Sequence, residues 1–184
     1  MAWPLSGIPV HRGGWKRDLR LTDDAFRKNI GSYVFQCSLA TLTVFIVLIV
    51  LDASLQTAII ASIGASTFIV FTAPNAFSAR TRSLLGGYAV GMTTGISCSL
   101  LAGVLGHEGT SDWSTIIIIM GSLAVGLSIF LMVITDTEHP PAAGLALAFI
   151  LNSWNFTTVI VVFSAPILLF LMKTLFKKYI RDLV

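Results

Sequence analysis

The chain has 184 residues, 55% of them hydrophobic and 11% charged, with a mean hydropathy of +0.85. A soluble domain is about one-quarter charged, so this composition excludes a separate soluble catalytic domain and reads as a polytopic membrane protein with several apolar runs of roughly 20 residues. The formal charge of +3 comes from Lys and Arg at segment ends, where they set orientation and are no signature of a nucleic-acid partner.

Residues 1–29 are polar, carrying Arg12, Lys16, Arg17, Arg20, Arg27 and Lys28, with Trp3 and Trp15 suited to the headgroup level. They are expected to form a cytoplasmic interfacial segment, with a helix capped by Thr22 and led by Asp23 and Asp24. A single transmembrane domain is expected over 30–176 and a basic cytoplasmic tail over 177–184. Span one runs from Ile30 to Leu51. Span two, Leu55 to Ala73, is short and expected to be broken by the small polar run Ala61-Ser-Ile-Gly-Ala-Ser-Thr67. Span three, Leu84 to Leu105, places Gly87, Gly91, Gly95, Ser99 and Gly103 four apart, a stripe that lets another helix approach closely, either within the chain or in a homo-oligomer.

Span four, Thr115 to Ile134, follows an acidic loop with His107, Glu108 and Asp112. Next comes Thr135-Asp-Thr-Glu-His-Pro-Pro-Ala-Ala-Gly144. Pro140 and Pro141 cannot continue a preceding helix, but their fixed φ suits the first turn of a new one running from Ala142 to Leu151. That stretch of ten residues covers about 15 Å, half a bilayer. His139 then stands at its N-terminus, where the helix dipole favours an anion, although each proline removes one donor. Span six runs from Phe156 to Phe176, and Lys173, Lys177, Lys178 and Arg181 close the chain.

Six crossings with a cytoplasmic N-terminus put all twelve Lys and Arg, and both termini, on the inside. The order long, short, long occurs twice. Three crossings per half orient the halves oppositely, the pattern of 3+3 inverted-repeat transporters whose short interrupted segments meet at a binding site.

The candidate site therefore joins His139, Pro140, Pro141 and Thr137 to Gly64, Ala65, Ser66 and Thr67, with Ser62 nearby. His139 titrates near neutrality and suits proton coupling or anion binding, or else it packs its own loop. The small residues of span two either present hydroxyls and amides to a substrate or pack helices. Asp136 and Glu138 are expected to be solvated. Cys37 and Cys98 read as small apolar residues; no metal spacing, cofactor motif or hydrolase motif appears.

Three patches, Ala61 to Pro74, Arg82-Ser-Leu-Leu-Gly-Gly87 and Thr135 to Gly144, resemble the HPP family of integral membrane proteins, named for the tripeptide at His139-Pro140-Pro141. The resemblance implies a small protein often described with four or five spans, some of whose relatives in photosynthetic lineages are associated with nitrite transport. Its signature falls on His139, Pro140 and Pro141, with Gly64, Ala65 and Ser66. The expected function is a transporter or channel for a small monovalent anion, nitrite first, in the plasma (inner) membrane, with the lipid bilayer and copies of itself as partners. The competing expectation is a non-transporting scaffold or sensor; an intramembrane enzyme is a third class.

Overall fold

The computed structural model describes residues 29–50, 57–106 and 112–183. The expected interfacial helix at Thr22, the end of span one at Leu51 and the loop residues His107 and Glu108 lie outside the described residues. Within them are six α-helices: α1 Ile30–Val50, α2 Thr57–Thr72, α3 Thr81–Leu105, α4 Trp113–Thr135, α5 Pro140–Leu151 and α6 Phe156–Leu175, with a 3-10 turn at Phe77–Ala79. No strand occurs among the described residues. Helices α1, α3, α4 and α6 are long and apolar enough to cross a membrane by length and composition. The 16 residues of α2 and 12 of α5 rise only about 24 and 18 Å.

The surface is apolar where a soluble protein would be polar. Val104, Ile118, Phe156 and Leu175 are exposed, whereas Gln36, Ser66, Ser128 and His139 are buried. Lipid tails accept such an exterior and leave polar groups no partners there, so the hydrogen-bonding side chains turn inward.

Side-chain contacts fix the helix directions. Ideal Cβ atoms on Gly87, Gly91 and Gly95 would meet His139, Ala142 and Ala146 in turn, so α3 and α5 run parallel. Ser62 and Ser66 of α2 bond Pro141 and His139, so α2 is antiparallel to α5. Gly106 meets Ile116, and Arg82 meets Thr135, so α3 and α4 are antiparallel. One end of the bundle, the basic end, thus gathers the starts of α1 and α3 and the ends of α2, α4 and α6. The principal helix contacts are α1–α2, α1–α6, α2–α5, α2–α6, α3–α4, α3–α5, α3–α6 and α4–α5. Exchanging α1 with α4, α2 with α5 and α3 with α6 returns the same set.

One expectation needs correction. Helix α2 is continuous: Ser66 and Thr67 turn their hydroxyls back on the carbonyls of Ser62 and Ile63, 3.0 and 2.8 Å away, so the small polar run costs the helix no break. The end of the chain is docked on the bundle. Gln36, 1% exposed, donates to the carbonyls of Phe71 at 2.5 Å and Arg181 at 2.8 Å and accepts from the Arg181 amide at 3.1 Å. Leu183 donates its amide to the Thr72 carbonyl at 2.8 Å, and Tyr33 donates to the Leu183 carbonyl. These bonds satisfy the last carbonyls of α2, which a helix end otherwise leaves open. Residues 176–183 form a strap across the basic end.

Candidate functional site

The site begins with two prolines. Pro140 and Pro141 occupy the first two positions of α5, where a missing N–H costs nothing, and His139 is the extended residue before them. Helix α4 stops just upstream with Asp136 in the left-handed region at φ 56°, the Thr137 amide returning 2.9 Å to the Met132 carbonyl. These two signals turn the chain sharply, and His139 enters the bundle with no exposed surface.

Its ring is held at both nitrogens. Nδ1 lies 2.8 Å from the Ser78 carbonyl, which only accepts, so Nδ1 carries a hydrogen. Nε2 lies 2.8 Å from Ser66 Oγ, which is 2.9 Å from the Tyr88 hydroxyl and 3.0 Å from the Ser62 carbonyl. Ser66 has one hydrogen for three acceptors. With neutral imidazole it donates to Nε2 and accepts from Tyr88; with imidazolium it accepts from Nε2 and turns its own hydrogen to Ser62 or Tyr88. Rotation of the one Ser66 hydroxyl therefore lets the cluster satisfy either protonation state of His139. Ser62 completes the cluster by donating to the Pro141 carbonyl at 2.6 Å.

Close helix approach makes this reach possible. A Cβ on Gly87 would lie 2.5 Å from the His139 Cβ and 3.0 Å from the Thr137 carbonyl, so a larger residue would displace His139 from its present position. The stripe Gly87, Gly91, Gly95 is used inside the chain, against α5. Gly103 meets nothing within 4 Å.

Of the expected site residues, the structure brings together His139, Ser66 and Pro141. Pro140 and Ala65 are exposed. Gly64 and Thr67 line a groove between α1 and α2. Thr137 is buried, but its hydroxyl pairs with Thr135 at 2.8 Å and its methyl sits over Gly86. The first turn of α5 is a poor anion nest, since its two prolines donate nothing and the Ala142 amide bonds the His139 carbonyl. Asp136 is exposed, 3.5 Å from Arg82. Glu138 departs from the expectation of solvation: its Oε2 is buried without a hydrogen-bond partner. The sequence reading missed Tyr88, whose only signal is a phenol within an apolar, glycine-rich run, and the Ser78 carbonyl, which has none.

A second opening faces the other end. Because α5 stops at Leu151, a cavity of about 630 Å³ forms over it, lined by Ser99, Trp113, Ser114, Asn152, Ser153 and Trp154, among others. Trp154 donates to Ser99 at 3.0 Å. Ser99 stands six residues before the end of α3, so the floor lies about 9 Å inside the bundle.

A lipid-facing helical bundle with two short helices crossing at a buried polar cluster defines a polytopic integral membrane protein. A family profile described as HPP, transmembrane region, matches residues 25–182, and the chain belongs to the HPP transmembrane family. No curated protein and no solved structure matches it.

Proposed function

We propose that the protein transports a small monovalent anion, with nitrite the first candidate, through the Ser66–Tyr88–His139 cluster. The carrying observation is that cluster itself. Three hydrogen-bonding side chains from α2, α3 and the start of α5 meet with no exposure, in a bundle whose other buried contacts are largely apolar. Apolar groups of the same shape would hold such a bundle equally well, and intramembrane polar residues are characteristic of ion and proton paths. The ligands for the anion are hydroxyls and the imidazole, not backbone amides. A proton taken up by His139 balances the anion's charge in a site with no Lys or Arg among its members, which favours nitrite over divalent sulfate or phosphate.

The exchange symmetry of the helix contacts supports a 3+3 inverted repeat. In that reading α2 and α5 are corresponding elements, and their crossing is where such transporters bind substrate. The site is sealed, as an occluded conformation requires; the same sealing favours the competing reading of a scaffold. Catalysis is disfavoured although Ser66 and His139 are paired at 2.8 Å. Ser66 lies within α2, where backbone amides are committed to the helix and form no oxyanion hole.

The test is nitrite uptake into proteoliposomes, with nitrate, chloride and formate as comparators, for the wild-type chain, Ser66→Ala and His139→Gln. Saturable nitrite flux, reduced at least about tenfold in folded variants and driven by an inward proton gradient, is the expected result. Well-folded wild-type protein that carries none of the four anions above empty liposomes would support the scaffold.

A further inference from the structure

The basic end carries a second cavity, about 550 Å³, between the start of α3 and the end of α6. Arg80 at the start of α3 and Lys173 and Lys177 around the end of α6 line it, with Asn75, Phe170 and Ile180 among the other lining residues. Lys173 is fixed in place: its Nζ donates to the carbonyls of Pro74 at 2.7 Å and Ala79 at 2.6 Å. An ammonium has three donors, so one remains beyond these two. Arg80 stacks over Phe77, 4.9 Å from its centroid, and neither Arg80 nor Lys177 pairs with a carboxylate among the described residues. Asp182, an opposing charge that acts on Lys173, is engaged by the backbone and side-chain amides of Asn75. Arg80 is also the N-cap of α3 and makes no side-chain cap bond, so the amides of that 25-residue helix add their partial positive charge beside the cavity.

We propose that this cavity binds the phosphate of an anionic phospholipid headgroup. Three cations lining one cavity, with the Asp182 carboxylate already engaged among the described residues, call for an anion, and the volume is that of a small-molecule site. The depth selects the source. The cavity lies where α3 begins and α6 ends, at the level of headgroups, and Phe170 and Ile180 supply an apolar wall that a glycerol backbone and acyl ester can use while a free phosphate cannot. Basic pockets between transmembrane helices are recurrent headgroup sites. The site is separate from the buried cluster: the 3-10 turn stands between them, its Ser78 carbonyl on His139 and its Ala79 carbonyl on Lys173. Lipid binding is therefore independent of the transport reading.

The experiment is thermal unfolding of the purified full chain in a neutral detergent, titrated with phosphatidylglycerol, with phosphatidylcholine of the same acyl chains, or with glycerol phosphate. The variants are Arg80→Gln/Lys177→Gln, both exposed positions, and Lys178→Gln, an exposed lysine outside the cavity, as control. Saturable stabilisation by phosphatidylglycerol of about 5–11 °C at a hundredfold excess over Kd is expected in wild type and Lys178→Gln and lost in the double variant. Equal shifts with both lipids, or a phosphatidylglycerol shift that survives the double substitution, would overturn the site. A variant-sensitive shift with glycerol phosphate but none with phosphatidylglycerol would overturn the lipid assignment in favour of a soluble phosphate.

Discussion

Replacing Gly91 by Ala puts the close approach of α3 and α5 under direct test. The new Cβ would fall onto the Ala142 carbonyl oxygen, 3.0 Å from the carbonyl carbon and 3.3 Å from the Ala142 Cβ. Ordinary contacts to a Cβ begin near 3.4 Å, and the obstacle is backbone, which cannot swing aside as a side chain does. Helix α5 must move outward by about 1 Å, in an interior close-packed enough to transmit the strain. Overpacking costs about 1–3 kcal/mol, and a backbone obstacle puts Gly91→Ala toward the upper end. The gain in helix propensity, about 1 kcal/mol, offsets part of it. The net loss of about 1–2 kcal/mol lowers Tm by about 2–8 °C in a chain of this size. The assay is thermal unfolding in detergent followed by tryptophan fluorescence, with Gly103→Ala as control because nothing lies within 4 Å of it. A Gly91→Ala protein as stable as wild type, or a Gly103→Ala protein destabilised as much, would refute the reasoning.

Two further outcomes follow from the ends of the helices. Gln36→Leu deletes the amide that holds Phe71 and Arg181 together, leaving the buried Phe71 carbonyl unpaired at about 1–3 kcal/mol and the part-buried Arg181 backbone without its side-chain partner. Limited proteolysis should then cut within 176–183 several-fold faster than in wild type, and an unchanged rate would mean that the strap is held by other contacts. At Asp136, whose φ is 56°, Gly should be tolerated within about 1 kcal/mol because the left-handed region suits it and the exposed pair with Arg82 contributes little. Val at that position should cost at least about 1–2 kcal/mol. Denaturant midpoints of the two variants that coincide would contradict that account.

The helices were legible from the sequence because bilayer thickness imposes a length and prolines impose a start. Pro140-Pro141 opens α5 where the missing amides said it should, and Asn155 marks the start of α6 by accepting from the Thr158 amide. The site was legible only in part. His139 and Ser66 stood out as polar residues beside helix-shaping ones, but which hydroxyl of α2 faces His139 depends on the rotation of one helix against another. Short polar side chains can satisfy themselves on their own helix, as Thr67 does, and no local signal separates Thr67 from Ser66. Tyr88 and the Ser78 carbonyl became partners through tertiary packing alone. The strap was illegible for a different reason. Lysines and arginines at the end of a span read as solvated charges, while the groups that dock it are backbone amides and carbonyls, which every residue has.

That strap constrains the order in which the protein can be made. Spans enter the membrane as they leave the ribosome, yet the Gln36 side chain of α1 and the Thr72 carbonyl that ends α2 find partners in residues synthesised much later. Gln36 waits for Arg181 across 145 positions, and Thr72 waits for Leu183. Until then water at the membrane surface must serve those groups, so α1 and α2 are held provisionally while the remaining helices insert. Closure of the basic end is a late step in biogenesis, and a nascent chain stalled before residue 183 carries an unfinished second helix.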